Sequence, residues 1–205
     1  KNKSLISFVG APWTLITYML GNEKKNNFEN LFKDKKKIKL IIDNLNKYLC
    51  LHIKNQINSG SDVVQIFDSW AGFLEKKNLQ DFCFQPNYEI VNFCNDNKIP
   101  NICFPRGIKN EYATFNKEVK PDALNIDYEI DPAWARDNLN NVTLQGGMNP
   151  RILLKTEDEI YTEAKKYLDI FRDVPYIFNL GHGLVPETDP DKVRKLIEFI
   201  RQYKC

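Results

Sequence analysis

Tyr176-Ile177-Phe178-Asn179-Leu180-Gly181-His182-Gly183-Leu184 sets a short apolar run directly before one of only two histidines in the chain, and that histidine sits between glycines. A strand that ends in a glycine-flanked, titratable side chain is how a parallel α/β protein presents chemistry at its rim. A plainer reading also fits the nine residues: Gly181 and Gly183 permit a tight strand-to-helix turn, with His182 a passive hydrogen-bonding loop residue. Which holds depends on whether the rest of the chain repeats the pattern.

Working outward, the same unit recurs: a short apolar strand, a glycine- or polar-rich loop, then an amphipathic helix. Leu5-Ile6-Ser7-Phe8-Val9 closes on Gly10. A long helix over 35–59 places Ile38, Ile41, Ile42, Leu45, Tyr48, Leu49, Ile53 and Ile57 on one face and stops at Gly60. Asp62-Val63-Val64-Gln65-Ile66-Phe67 is the second strand, with Asp68-Ser69-Trp70-Ala71-Gly72 at its end. A helix over 86–97 leads to Asn101-Ile102-Cys103-Phe104, followed by Arg106 and Gly107. After Ala123-Leu124-Asn125-Ile126-Asp127, Asp131 and Pro132 are the N-cap and first residue of a short helix. Val142-Thr143-Leu144-Gln145 closes on Gly146-Gly147, Asn149-Pro150 restarts a helix, and Thr156-Glu157-Asp158-Glu159 is a capping box for the next. Beyond the opening stretch, Asp189-Pro190 caps a last helix that buries Val193, Leu196, Ile197 and Ile200.

Strands alternating with helices imply a parallel sheet with right-handed crossovers. Six units fit a doubly wound sheet or part of an eight-stranded barrel. Polar residues and glycines follow almost every strand, which favours the barrel, because a doubly wound sheet concentrates its site at one switch point. The expected fold is therefore α/β: a single domain over residues 1–205, a (β/α)8 TIM barrel present with six of its eight strands. No G-x-G-x-x-G or G-x-x-x-x-G-K-[ST] is present to hold a nucleotide phosphate, and Gly146-Gly147 alone specifies nothing.

Composition narrows the classes. With 205 residues, 42% hydrophobic and 12% aromatic, the chain can bury a sizeable core. A net charge of +2 from 29 basic and 27 acidic residues gives no basic stripe for a phosphate backbone, so no nucleic-acid partner is expected. Lys33-Asp34-Lys35-Lys36-Lys37 reads as a solvated helix face. Five cysteines without a C-x-x-C pair point to a reducing compartment, and Cys50 and Cys94 read as core. Cys50 and His52 lie two apart on a helix and do not face one another, so no metal pair is expected there. No apolar run approaches the roughly 18 residues of a membrane helix. No signal peptide leads the chain, which opens on Lys1, and a cytoplasmic location is expected.

The polar groups at the six strand ends are Tyr18, Asp68, Ser69, Arg106, Asp127, Gln145 and His182. A guanidinium and an imidazole for carboxylates, with hydroxyls to orient them, suit a polyanionic organic molecule. Two of these residues have plainer readings: Tyr18 lies in the apolar stretch Thr14-Leu15-Ile16-Thr17-Tyr18-Met19-Leu20, and Ser69 precedes Trp70 in a turn that a serine often caps. No G-x-S-x-G surrounds Ser69, which argues against a hydrolase.

Phe8-Val9-Gly10-Ala11-Pro12-Trp13-Thr14-Leu15-Ile16-Thr17-Tyr18-Met19, Val64-Gln65-Ile66-Phe67-Asp68-Ser69-Trp70-Ala71-Gly72, Leu144-Gln145-Gly146-Gly147-Met148-Asn149-Pro150 and Asn179-Leu180-Gly181-His182-Gly183 resemble, in order and spacing, the signature segments of the uroporphyrinogen decarboxylase family. The similarity spans essentially the whole chain. It implies a (β/α)8 barrel, a homodimer in tetrapyrrole biosynthesis, and a lyase that works without cofactor or metal. The implied reaction removes CO2 from the four acetate side chains of uroporphyrinogen III to give coproporphyrinogen III. Protonating a pyrrole ring carbon makes the ring its own electron sink, so the protein supplies charge placement, a proton donor and a shielded cleft.

Matched motif to motif, the resemblance places Tyr18, Ser69 and His182 in the substrate cleft as catalytic and binding residues, and Phe8 as an apolar wall. Tyr18 and Ser69 would hydrogen-bond substrate carboxylates or an ordered water, and His182 would donate to a propionate or acetate; Arg106 is a further anion contact. The chain departs from the family at its front: the arginine-rich motif and the aspartate that gathers the pyrrole N–H groups do not occur in it. On that basis the six strands would be the third to eighth of the barrel, and the chain is expected to be a fragment, poorly soluble and inactive alone. Two other readings stay open. A zinc- and cobalamin-type methyltransferase of the same fold would need a His-x-Cys pair, but Gly183-Leu184 follows His182 and no histidine neighbours Cys103. A non-catalytic tetrapyrrole-binding or scaffold relative is the other, and the upstream reading frame separates it from the enzyme.

Overall fold

The computed structural model describes residues 3–20 and 34–203. Lys33 of the basic cluster and the fifth cysteine, Cys205, lie outside the described residues. The chain forms two compact units, Lys1–Ala123 and Leu124–Cys205.

In the first unit three strands, β1 (Ile6–Gly10), β2 (Val63–Asp68) and β3 (Asn101–Pro105), pair parallel in chain order. The register sets Val9 beside Ile66 and Ile66 beside Cys103. Every residue of β3 is buried, as its continuous apolar run requires of a central parallel strand. β1 is different: Leu5, Ile6 and Phe8 are exposed, and among the described residues β1 pairs only with β2.

Helix α1 (Pro12–Met19) follows β1 at once, with Pro12 at its first position, where the missing N–H costs nothing. Helix α2 (Lys35–Asn58) opens on Asp34, whose side chain accepts from the Lys37 N–H, and buries Ile38, Ile42, Asn46, Leu49 and Ile53. Tyr48, expected on that face, is exposed instead. At roughly 100° per residue it lies about a third of a turn round the helix from the line of Ile38, Ile42 and Ile53. Asn46 occupies the buried line, and its amide donates to Glu89 and to the Pro86 carbonyl. After β2 come α3 (Lys76–Leu79), a π-helical turn over Gln80–Phe84 and α4 (Gln85–Asp96). Helix α5 (Tyr112–Val119) follows β3 and ends on Lys120 in the left-handed region, φ 55°.

Strand β4 (Ala123–Ile126) lies in the second unit from Leu124 on, with β5 (Thr143–Gly146) and a two-residue β6 (Tyr176–Ile177) next in hydrogen-bonded order. Leu144 pairs parallel with Tyr176, and a further bridge joins Met148 to Leu180. The expected caps form. Asp131 accepts from Trp134 N to start α6 (Pro132–Asn138), and Asp189 accepts from Asp191 N to start α8 (Pro190–Gln202). Thr156 and Glu159 form the capping box of α7 (Glu157–Ile170). The helix expected after Asn149-Pro150 is a 3-10 turn, Pro150–Leu154, with Asn149 accepting from Arg151 N. In α8 only Leu196 is fully buried; Ile197 is exposed and Val193 and Ile200 are half-buried, so the apolar stripe is narrower than expected.

Both units run strand, loop, helix, and the fold is α/β of the TIM-barrel type, with six strands among the described residues. No helix among the described residues is long and apolar enough to cross a membrane.

Candidate functional site

In the first unit the candidate residues gather at the C-terminal ends of β1 to β3. Phe8, 67% exposed, meets Phe67 edge-on with ring centroids 5.9 Å apart, and Phe67 meets Phe104 the same way at 6.0 Å. These rings make an apolar wall across three adjacent strands. Sequence reasoning named only Phe8; Phe67 stands at the level of Gly10 in the register, which only strand pairing reveals.

Asp68 and Ser69 part company where β2 ends. Asp68 turns inward and is 1% exposed, so it does not belong to the surface set of anion-handling groups. Its carboxylate accepts from Thr14 Oγ1 at 2.8 Å and from Asn87 Nδ2 at 3.1 Å, and the Thr14 N–H and the Cys83 thiol also bond it. Ala11, the N-cap of α1, offers no side-chain bond, so this carboxylate satisfies a donor in the helix's first turn from another strand. Burial pushes the Asp68 carboxyl up to about 6, and the bonds from Thr14, Cys83 and Asn87 oppose that rise.

Ser69 stays half-buried beside Trp70. The Trp70 N–H donates to Thr14 Oγ1 at 3.3 Å, and the Trp70 carbonyl accepts from Trp13 Nε1 at 3.1 Å. The Trp70 ring packs on Phe73 at 4.9 Å and takes Tyr18 edge-on at 6.0 Å. Tyr18 is 55% exposed, which sets aside the reading of it as core. Tyr18 thus packs against Trp70, the residue next to Ser69. Arg106 is half-buried in the loop after β3, and its backbone is tied to the β2 loop: Arg106 N donates to the Asp68 carbonyl at 3.2 Å, and Gly72 N donates to the Arg106 carbonyl at 2.9 Å. Gly72 permits this approach, since a Cβ there would lie 2.8 Å from the Gly107 Cα and O.

His182 belongs to the second unit, where it is exposed at the end of the β6 loop. Gly181 N donates to the Met148 carbonyl at 2.8 Å. A Cβ on Gly181 would lie 2.4 Å from Tyr128 N, whereas one on Gly183 would meet nothing within 4 Å. The first glycine is therefore required by close packing, not by a tight turn. The Gly183 N–H donates to His182 Nδ1 at 2.6 Å, so that ring nitrogen is an acceptor here.

The neighbouring β5 loop is fastened by two tyrosines. Gly146 and Gly147 have φ of 80° and 99°, and their carbonyls accept from Tyr176 and Tyr167 hydroxyls at 2.6 and 2.8 Å. Burial pushes the Tyr167 phenol up to about 12 and raises that of Tyr176 further. Asp127 and Gln145 were expected at the rim and are buried. Asp127 accepts from Glu129 N at 2.9 Å, and Gln145 donates to Asn125 Oδ1 at 2.7 Å, so both serve the scaffold.

Among the described residues no group of three or more His, Cys, Asp or Glu is placed to hold a metal ion. A parallel α/β fold with hydroxyl, aromatic, guanidinium and imidazole groups at its strand ends and loops defines the class: a TIM-barrel-like protein. Among solved structures it is similar to a methyltransferase from Methanosarcina mazei, with TM-score 0.84 and 16% identity over 98% of this chain and 59% of that one. A B12-independent methionine synthase from Shewanella sp. W3-18-1 superposes with TM-score 0.66 and 12% identity, over 98% and 61%. These likenesses show the fold.

Sequence similarity is more specific. The family model described as uroporphyrinogen decarboxylase (URO-D) matches residues 1–203, and the chain belongs to that family. It is 34% identical to the uroporphyrinogen decarboxylase of Wolbachia pipientis wMel over 99% of this chain, and 37% identical to that of Rickettsia bellii (strain RML369-C) over 100% of it. The chain spans 61% and 62% of those relatives.

Proposed function

We propose that the protein is a uroporphyrinogen decarboxylase, converting the four acetate side chains of uroporphyrinogen III to methyl groups and releasing coproporphyrinogen III and four CO2. The family match over residues 1–203 carries the reading. The contact of Tyr18 with Trp70, the residue next to Ser69, supports it, as does the exposure of His182.

In each round the pyrrole ring carbon next to the one bearing the acetate takes up a proton, and the cationic ring draws the electron pair of the breaking C–C bond into an exocyclic methylene as CO2 leaves. A proton then adds at the exocyclic methylene to make the methyl group, and the ring gives up its extra proton. The sum is one carboxylate and one proton in, one methyl and one CO2 out. Tyr18 and Ser69 donate hydrogen bonds to substrate carboxylates or hold an ordered water near the reacting acetate, and His182 donates to a propionate or acetate. Arg106 pairs with a further carboxylate, and Phe8, backed by Phe67, forms an apolar wall that keeps water from the ring. The chemistry on this reading requires neither cofactor nor metal. The same reading carries a homodimer that acts in the cytoplasm in haem biosynthesis, with no nucleic-acid or membrane partner, and residues 1–205 as part of one barrel domain.

The test is steady-state formation of coproporphyrinogen by the protein encoded in the full reading frame. His182→Gln and Tyr18→Phe each remove one charge-assisted hydrogen bond and are expected to lower kcat/KM by about ten- to a hundredfold. Wild-type kcat/KM in both variants refutes the assignment.

A further inference from the structure

Asp68 has four donors around one buried carboxylate, and the two from Thr14 lead toward Tyr18 and Trp70. Thr14 donates to it through both hydroxyl and backbone N–H in the first turn of α1. Tyr18 lies one turn further along the same helix face, four residues on, so the bond that seats Thr14 also fixes the azimuth of Tyr18. The Thr14 hydroxyl, having donated to Asp68, accepts from the Trp70 N–H, and the Trp70 ring is the surface Tyr18 rests on edgewise. Ser69 is covalently next to Asp68, so its backbone is held by the same anchor. Asn87 and Cys83 grip the carboxylate from the helical layer behind it.

We propose that Asp68 is a positioning residue for the decarboxylation: its carboxylate, by capping α1 through Thr14, sets the Tyr18 hydroxyl at its working distance from Ser69. The proposal rests on the assignment of Tyr18 and Ser69 to the substrate cleft. Every partner of the carboxylate donates, so an amide at this position puts an NH2 where an oxygen now accepts, and at least one partner must reverse its bond or lose it.

The experiment is a double-mutant cycle of Asp68→Asn with Tyr18→Phe on the protein encoded in the full reading frame, read as the single-turnover rate so that slow variants remain measurable. Asp68→Asn alone is expected to lower the rate about tenfold or more, since a misplacement near 1 Å can cost a hundredfold. In the Tyr18→Phe background it is expected to lower the rate less than twofold, because the group it positions is already gone. A purely structural role reduces the rate by the same factor in both backgrounds, and that result overturns the proposal.

Thr14 supplies a second arm that leaves the carboxylate in place. Thr14→Ser keeps the hydroxyl and is expected to retain the wild-type rate, whereas Thr14→Val loses both of its bonds and is expected to fall as Asp68→Asn does. Equal rates in the two Thr14 variants overturn the proposal even where Asp68→Asn fails to fold. A wild-type rate in Tyr18→Phe alone sinks the cleft assignment itself, whereas a slow Tyr18→Phe with additive Asp68→Asn sinks only the positioning role.

Discussion

The two glycines beside His182 look equivalent in sequence and are predicted to respond oppositely to alanine. In Gly181→Ala the new Cβ would sit 2.4 Å from Tyr128 N, 2.9 Å from Asp127 C and 3.0 Å from Tyr128 Cα, all of them backbone atoms. That backbone cannot easily retreat, since Asp127 accepts from Glu129 N through its side chain and from Ile130 N through its carbonyl. The loop carrying Gly181 must give way instead, stretching the bond from Gly181 N to the Met148 carbonyl. Overpacking plus a weakened hydrogen bond costs about 2–4 kcal/mol, a fall in Tm of roughly 5–15 °C for a chain of this size. In Gly183→Ala the Cβ meets nothing within 4 Å and the backbone lies outside the left-handed region, so stability is expected to stay within about 0.5 kcal/mol or rise slightly. Thermal and urea melts of both variants beside the wild type decide the matter. A Gly181→Ala protein melting within a degree of the wild type, or equal shifts in the two variants, refutes the close-packing account of this loop.

Two further outcomes follow from buried groups. Burial raises the Asp68 carboxyl from 3.8 to about 6, so the folded state binds this proton more tightly than the unfolded chain does. Its contribution is therefore greatest at low pH and declines as pH rises through 6, by up to about 3 kcal/mol; urea midpoints at pH 4.5 and 7 should show this slope in the wild type and not in Asp68→Asn. Tyr176→Phe keeps the stack on Phe171, 4.3 Å between centroids, but leaves the Gly146 carbonyl without its 2.6 Å partner. A loss of about 1–2 kcal/mol in urea is expected, and an unchanged midpoint would show that this hydroxyl does not fasten the β5 loop.

The strands and helix starts could be read from sequence because their causes are local. An apolar run such as Ile102-Cys103-Phe104 reads as a buried parallel strand, and Asp131, Thr156 and Asp189 cap helices through bonds that reach only two or three residues ahead. The direction of polar side chains at strand ends could not be read, because it is decided by partners far along the chain. Asp68 turns inward for Thr14, 54 residues away, and Asn87, 19 away; Gln145 turns inward for Asn125, 20 away. The same distance effect hid the need for Gly181 and the role of Phe67. Motif matching named Tyr18 and Ser69, but the contact of Tyr18 with Trp70, and the bonds from Thr14 to Asp68 and Trp70 behind it, join segments more than 50 residues apart.

These misread residues share a physical logic. Functional side chains must sit on loops to reach a ligand, yet loops are the least constrained part of a fold. Here inward-facing polar residues at or near the ends of β2, β4 and β5 are spent on anchoring rather than on ligand contact. Asp68 seats the helix that carries Tyr18, Asp127 closes the turn against which Gly181 packs, and Asn125 and Gln145 bond one another beneath the Gly146-Gly147 turn. Asp68 is fully buried while the next residue, the candidate Ser69, is half-buried. At the end of β2 a buried anchor and a partly exposed candidate residue are therefore adjacent in sequence. A variant at an anchor should shift the loop it holds, whereas a variant at an exposed neighbour removes a contact and leaves the loop in place.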